Sequence, residues 1–116
     1  MDAVKALTAH YAAMRGQKMA IREITDPETG DPLVIHFDPP TNAQAAMVQA
    51  RAQASDASLT LYTVLLLAKD AEGKRMFEDN AETMRALSES VDGAVLSRIA
   101  SRIMGRGGDA ESDLGN

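Results

Sequence analysis

Apolar residues near the start of the chain recur at helical spacing. Val4, Leu7, Tyr11 and Met14 are separated by three, four and three residues, which places them on one stripe. The pattern predicts a helix over 3–15, with Asp2 able to cap its start and Gly16 able to end it. The same stripe also fits a short coiled-coil seam of two heptads. The period then shortens. Met19, Ile21 and, less cleanly, Glu23 alternate with Ala20, Arg22 and Ile24, and Leu33-Val34-Ile35 runs on to Phe37. Strands are expected over 18–25 and 33–37, joined across Asp26-Pro27-Glu28-Thr29-Gly30-Asp31-Pro32, a dense turn signal. A lone hairpin is marginal in water. This one must therefore pack on helices or extend its sheet onto another chain.

Helical spacing resumes after Asp38-Pro39-Pro40. Thr41 with Gln44 forms a capping box, opening an Ala- and Gln-rich helix to about Ala54. Its predicted inner stripe is Ala43, Ala46, Met47 and Ala50, small enough for another helix to approach closely. Ser55 to Ser58 offers caps for a helix over 58–71. Leu59, Leu61, Tyr62, Val64, Leu65, Leu66 and Leu67 are apolar on nearly every face, so this helix should be the centre of the core. A charged connection over 72–80 carries Met76 and Phe77. Asp79 with Glu82 reads as a second capping box, for a helix to about Leu87. Ser90 or Asp92 caps a last helix with the apolar set Val91, Val95, Leu96, Ile99, Ile103 and Met104, Arg98 and Arg102 outward, and Gly105 at its stop. The expected fold is α+β, mainly α: about five helices with one β-hairpin after the first, in a single domain over 1–105. Residues 106–116 read as a disordered polar tail.

Composition narrows the classes of function. A hydrophobic fraction of 45% and a charged fraction of 25% suit a globular chain, and the 116 residues suit one domain. Tyr11, Phe37, Tyr62 and Phe77 are the aromatic residues, which leaves the core to aliphatic side chains and Met. A net charge of −5 repels phosphate, so nucleic acid is not an expected partner. No cysteine is present, which rules out disulfides and thiolate zinc ligands. The start has no basic stretch leading into an apolar block, so no secretory signal is read there. Leu59 to Ala68, the longest apolar block, falls well short of the roughly 20 residues of a membrane span.

The residues that could carry chemistry do not assemble into a motif. His10 and His36 lack partners at metal-ligand spacing, and no serine sits in a nucleophile elbow. Gly105-Arg106-Gly107-Gly108 lacks the Lys-Ser/Thr ending of a phosphate loop, and Asp70 to Gly73 fails the calcium-loop spacing. No catalytic residue, cofactor or metal is expected. Met14, Met19, Met47, Met76, Met84 and Met104 suit core filling, with some able to face varied apolar partners.

One stretch goes further. Leu65-Leu66-Leu67-Ala68-Lys69-Asp70-Ala71-Glu72-Gly73-Lys74-Arg75-Met76-Phe77-Glu78-Asp79-Asn80-Ala81-Glu82 resembles the shared segment of siphophage tail assembly chaperones: an apolar helix, a K-D-x-x-G-K-x-(apolar)-F turn, then acidic residues opening a short helix. Val95 to Met104 is similar to their last helix, and the resemblance spans about residues 5–105. It departs in the hairpin, where similar proteins often carry a Trp and this chain has none. The resemblance implies a non-enzymatic, self-associating chaperone in the host bacterial cytoplasm. Such a protein coats the tape-measure protein, recruits tail-tube subunits, and is missing from the finished particle. It is often made in two lengths by frameshifting.

Two apolar surfaces are the expected partner contacts: the stripe Val4, Leu7, Tyr11 and Met14, and the turn carrying Lys74, Met76 and Phe77. Both present large apolar groups away from the expected core centre. Alanine at Tyr11 and Phe77 is expected to weaken partner binding and leave thermal stability nearly unchanged. Two other readings are a structural tail or head–tail connector subunit and a small DNA-binding regulator.

Overall fold

The computed structural model describes residues 1–53 and 55–105. The segment read as a polar tail, 106–116, lies outside the described residues. Five helices and two strands follow in order: α1 (Ala3–Met14), β1 (Gln17–Thr25), β2 (Pro32–Phe37), α2 (Asn42–Ala52), α3 (Asp56–Leu67), α4 (Ala81–Glu89) and α5 (Gly93–Ile103). The fold is α+β and mainly α, with the hairpin after the first helix.

The hairpin is antiparallel, pairing Gln17 with Phe37 at one end and Ile21 with Leu33 further along. Beyond Ile21 the register shifts, so that Thr25 meets Pro32. Extra residues in one strand break strict alternation. Glu23 is therefore exposed and Ile24 half-buried, which accounts for the blurred pattern at that point of the sequence. The turn is tied by Asp26, whose carboxylate accepts from the Glu28 N–H at 2.8 Å and whose carbonyl accepts from Gly30 at 2.8 Å. Ile21, Ile35 and Phe37 point inward and are buried.

Those residues share one core cluster with Val64, Leu65, Leu66 and Leu67 of α3, all buried. Val48 and Ala52 of α2, Leu87 of α4, and Val95, Leu96, Ile99, Ala100 and Ile103 of α5 close the core around α3. The one buried polar side chain among the described residues, Thr63, is satisfied by donating to the Leu59 carbonyl at 2.7 Å.

Several sequence expectations need correction. The third helix ends at Leu67 rather than at 71. Ala68 turns to an extended conformation, and Lys69 pairs its backbone with His36 on one side and Arg75 on the other. Backbone pairing with β2 wins there over helix continuation. The fourth helix is capped by Asn80, whose side chain accepts from Thr83 N–H at 2.8 Å. Asp79 instead pairs with Arg51. The predicted inner stripe of α2 faces outward: Ala43, Ala46, Met47 and Ala50 are exposed, while Val48 and Ala52 are buried. A helix this rich in alanine has little contrast between faces, so one valine fixes its orientation. Val91 precedes α5 and is exposed, and Asp92 is the cap, accepting from the Ala94 N–H at 2.9 Å. Arg98 is outward but held by Glu23, and Arg102 lies with its guanidinium 5.8 Å from the centre of the Phe37 ring.

Candidate functional site

Helix α1 begins where Asp2 accepts a hydrogen bond from Lys5 N–H at 3.2 Å. Among its 12 residues only Lys5, Thr8 and His10 are polar, yet none of the 12 is buried. Val4 is 71% exposed, Leu7 68% and Met14 39%. No other element shares an extended interface with it. An isolated helix shorter than about 12–15 residues is marginal in water even when Ala-rich. Among the described residues, no element buries the apolar stripe of this helix.

The contacts that hold α1 lie toward its C-terminal end. The half-buried Tyr11 donates its hydroxyl to the Pro39 carbonyl at 2.8 Å. Just past the helix, Gly16 N–H donates to Asp38 at 2.8 Å, and Arg15 lies 3.5 Å from the same carboxylate. Lys69 completes the clasp from the body at 3.0 Å. The Gly16 N–H, with help from the Lys69 and Arg15 cations and against the cost of partial burial, holds the Asp38 carboxyl below its usual range. Gly16 stands at φ +76°, a conformation that favours glycine and aims its N–H at Asp38. Beside this junction runs a cleft of about 290 Å³ lined by Met14, Pro39, Pro40, Ile103 and Met104 among others.

The second expected surface has a different character. Asp70 accepts from the N–H groups of Glu72 at 2.9 Å and Lys74 at 3.0 Å, and Asp70 N–H donates to the Lys74 carbonyl at 2.8 Å. Gly73 takes φ +82° to close the loop. Met76 N–H donates to the Ala68 carbonyl at 3.0 Å, and Met76 and Phe77 are half-buried against the core. Each signature residue of the K-D-x-x-G-K-x-(apolar)-F turn thus has a folding job, except Lys74, whose side chain stays exposed. Just beyond it, Asp79 accepts two hydrogen bonds from Arg51, each 2.9 Å, and Arg51 lies 4.9 Å from the centre of the Tyr62 ring. Hydrogen bonding to the Arg51 guanidinium lowers the Asp79 pKa.

The structure therefore divides the candidate residues. Val4, Leu7 and Met14 share one open face of α1, with Tyr11 seated at its base. Met76 and Phe77 serve the core edge, and Lys74 stands apart on the turn. The outward Ala43, Ala46, Met47 and Ala50 face of α2 was missed as a surface. The only sequence signal for it was the lone Val48 on the opposite side.

Among the described residues, no group of three or more His, Asp or Glu side chains could hold a metal ion. No described helix is long and apolar enough to cross a membrane. Comparison with protein-family models, with curated proteins and with solved structures finds no match to the chain.

Proposed function

We propose that this protein is a non-enzymatic tail assembly chaperone of a long-tailed bacteriophage, covering apolar stretches of the helical tape-measure protein and helping to recruit tail-tube subunits. On this reading it acts in the host cytoplasm and leaves before the particle is complete. The observation that carries the binding role is α1: a helix with an apolar stripe and no buried residue, tethered at one end. Such a helix can lay its stripe along another amphipathic helix. The phage assignment rests on the resemblance of residues 65–82 and 95–104 to that family.

Co-expression with the tape-measure protein encoded nearby tests the reading. Expected is a tape-measure protein that becomes soluble only with this chain and co-purifies with several copies of it. An insoluble, unbound tape-measure protein, with this chain found inside purified particles, would make it a structural subunit instead. The DNA-binding alternative requires affinity that falls steeply with salt. The two arginines of α5 that would serve it are already engaged by Glu23 and Phe37.

A further inference from the structure

We propose that the outer edge of β1 is a docking strand for the chain's own acidic segment, Asp109-Ala110-Glu111-Ser112-Asp113, laid parallel to β1 and covering that edge. The inference concerns the chain alone and does not rest on the tape-measure reading.

The backbone identifies the edge. The sheet has two strands, so each has one side that the other does not cover. On β2 that side is taken at His36, whose N–H donates to the Lys69 carbonyl at 2.9 Å and whose carbonyl accepts from Lys69 N–H at 2.7 Å. With both backbone groups turned to Lys69, His36 makes no ladder bond to Lys18, its partner across the hairpin. The N–H and C=O of Lys18 therefore point away from β2, and Ala20 repeats the arrangement one pleat on. No other described strand pairs with that side of β1. Such an open row of donors and acceptors is a template for a further strand.

Charge selects the occupant. Lys18, Ala20 and Arg22 are exposed while Met19 and Ile21 turn toward the core, so the two cations share the outer face. Neither has a carboxylate partner among the described residues, whereas Arg15, Arg51, Lys69, Lys74 and Arg98 each have one. Asp109, Glu111 and Asp113 alternate with small residues, so an extended chain sets all three carboxylates on one face. Positions 109 and 113 are as far apart as 18 and 22, and any strand spaces alternate residues by about 6.6 Å. One register therefore puts Asp109 beside Lys18, Asp113 beside Arg22, and Glu111 between the cations. Residues 106–116 contain no proline, so each backbone N–H can donate.

Reach and direction agree with that register. Gly105 lines the same cleft of about 290 Å³ as Gln17, the first residue of β1. Arg106-Gly107-Gly108 spans up to about 10 Å when extended, which brings Asp109 to Lys18. A segment entering there runs toward Thr25, parallel to β1. Asp, Glu and Gly are poor strand formers, so the ion pairs hold the register and salt weakens it.

The amides of Lys18 and Ala20 report occupancy, read by hydrogen exchange in nuclear magnetic resonance spectra of the full chain at low salt. Expected is slow exchange at both. The triple variant Asp109→Asn, Glu111→Gln, Asp113→Asn should speed it at least about tenfold, with exchange at Ile35 inside the hairpin ladder unchanged. Lys18→Glu with Arg22→Glu should do the same, and adding Asp109→Lys, Glu111→Lys and Asp113→Lys should restore protection. The chain contains no cysteine, so introduced thiols report without background. On mild oxidation Lys18→Cys with Asp109→Cys should close an internal disulfide at single-chain mass, and Lys18→Cys with Asp113→Cys should not. Fast exchange at Lys18 and Ala20 in the wild-type chain, or protection unmoved by the charge variants, overturns the docking. Protection that rises with protein concentration, or an oxidised product of twice the chain mass, gives the edge to a second copy and overturns it as well.

Discussion

Single residues in this protein sort sharply by what surrounds them. Ile35 and Leu65 are fully buried, and alanine at either should cost about 2–5 kcal/mol, read as a lowered denaturant midpoint. Leu7→Ala removes a side chain of similar size from an exposed site, and the same measurement should barely move. Gly73→Ala places a side chain at φ +82° with no atom in the way, so the expected loss of about 1 kcal/mol is conformational rather than steric. Asp38 gives a pH signature. Its folded-state pKa lies below that of the unfolded chain, so its contribution is complete above the unfolded value of about 4. It disappears as pH falls through the lower folded value. Asp38→Asn should flatten that part of an acid titration followed by near-ultraviolet circular dichroism. Phe77 also belongs here. Because it packs against the core edge, Phe77→Ala should reduce stability, and binding lost with it would not mark a contact surface. Leu7 and Val4 separate the two effects.

Among the elements, those with strong periodicity or explicit caps were legible in the sequence. Thr41 and Gln44 form both halves of the capping box, and Thr41→Ala should cost about 1 kcal/mol. The apolar run of α3 identified the core centre, because a helix hydrophobic on all faces has to be surrounded. What was not legible depended on partners distant in sequence. The end of α3 is decided by His36, 33 positions before Lys69, whose backbone competes for the strand pairing. Asp79 forgoes its capping role because Arg51, 28 residues away, meets it with two hydrogen bonds. The face of α2 was unreadable because alanine occupies both sides. The stripe of α1 was fully legible, but its exposure was not, since periodicity says which residues share a face and not whether anything covers it. Helix α1 should therefore be the first element to lose amide protection in the free chain, with α3 the last, by hydrogen exchange followed by mass spectrometry.

The whole molecule is a helical body with a hairpin laid on it and an apolar arm at the N-terminus. Its signature turn, from Lys69 to Phe77, resembles a family motif yet is spent on internal bonds that close the loop and join β2 to α3. A motif of that kind marks a shared fold more directly than a shared contact surface. The unburied apolar stripe of α1, rather than the motif carrying the resemblance, is thus the surface proposed for a partner. This division gives an expectation for the assembled system. Leu7→Glu should reduce recovery of soluble tape-measure protein at least tenfold while the chain stays folded. Lys74→Ala, at an exposed side chain of the turn, should change that recovery little.

The hairpin register has a mechanical consequence. Gln17 lies opposite Phe37, at the end of the sheet where one strand leaves for α1 and the other runs on into the body. A load applied through α1 therefore meets the Tyr11–Pro39 bond and the Asp38 clasp first, and then opens the sheet one rung at a time, like a zipper, rather than sliding the strands past each other along their whole length. Unzipping concentrates the load on a single pair of bonds, so the arm and the first strand would yield at low force while the helical body stays intact.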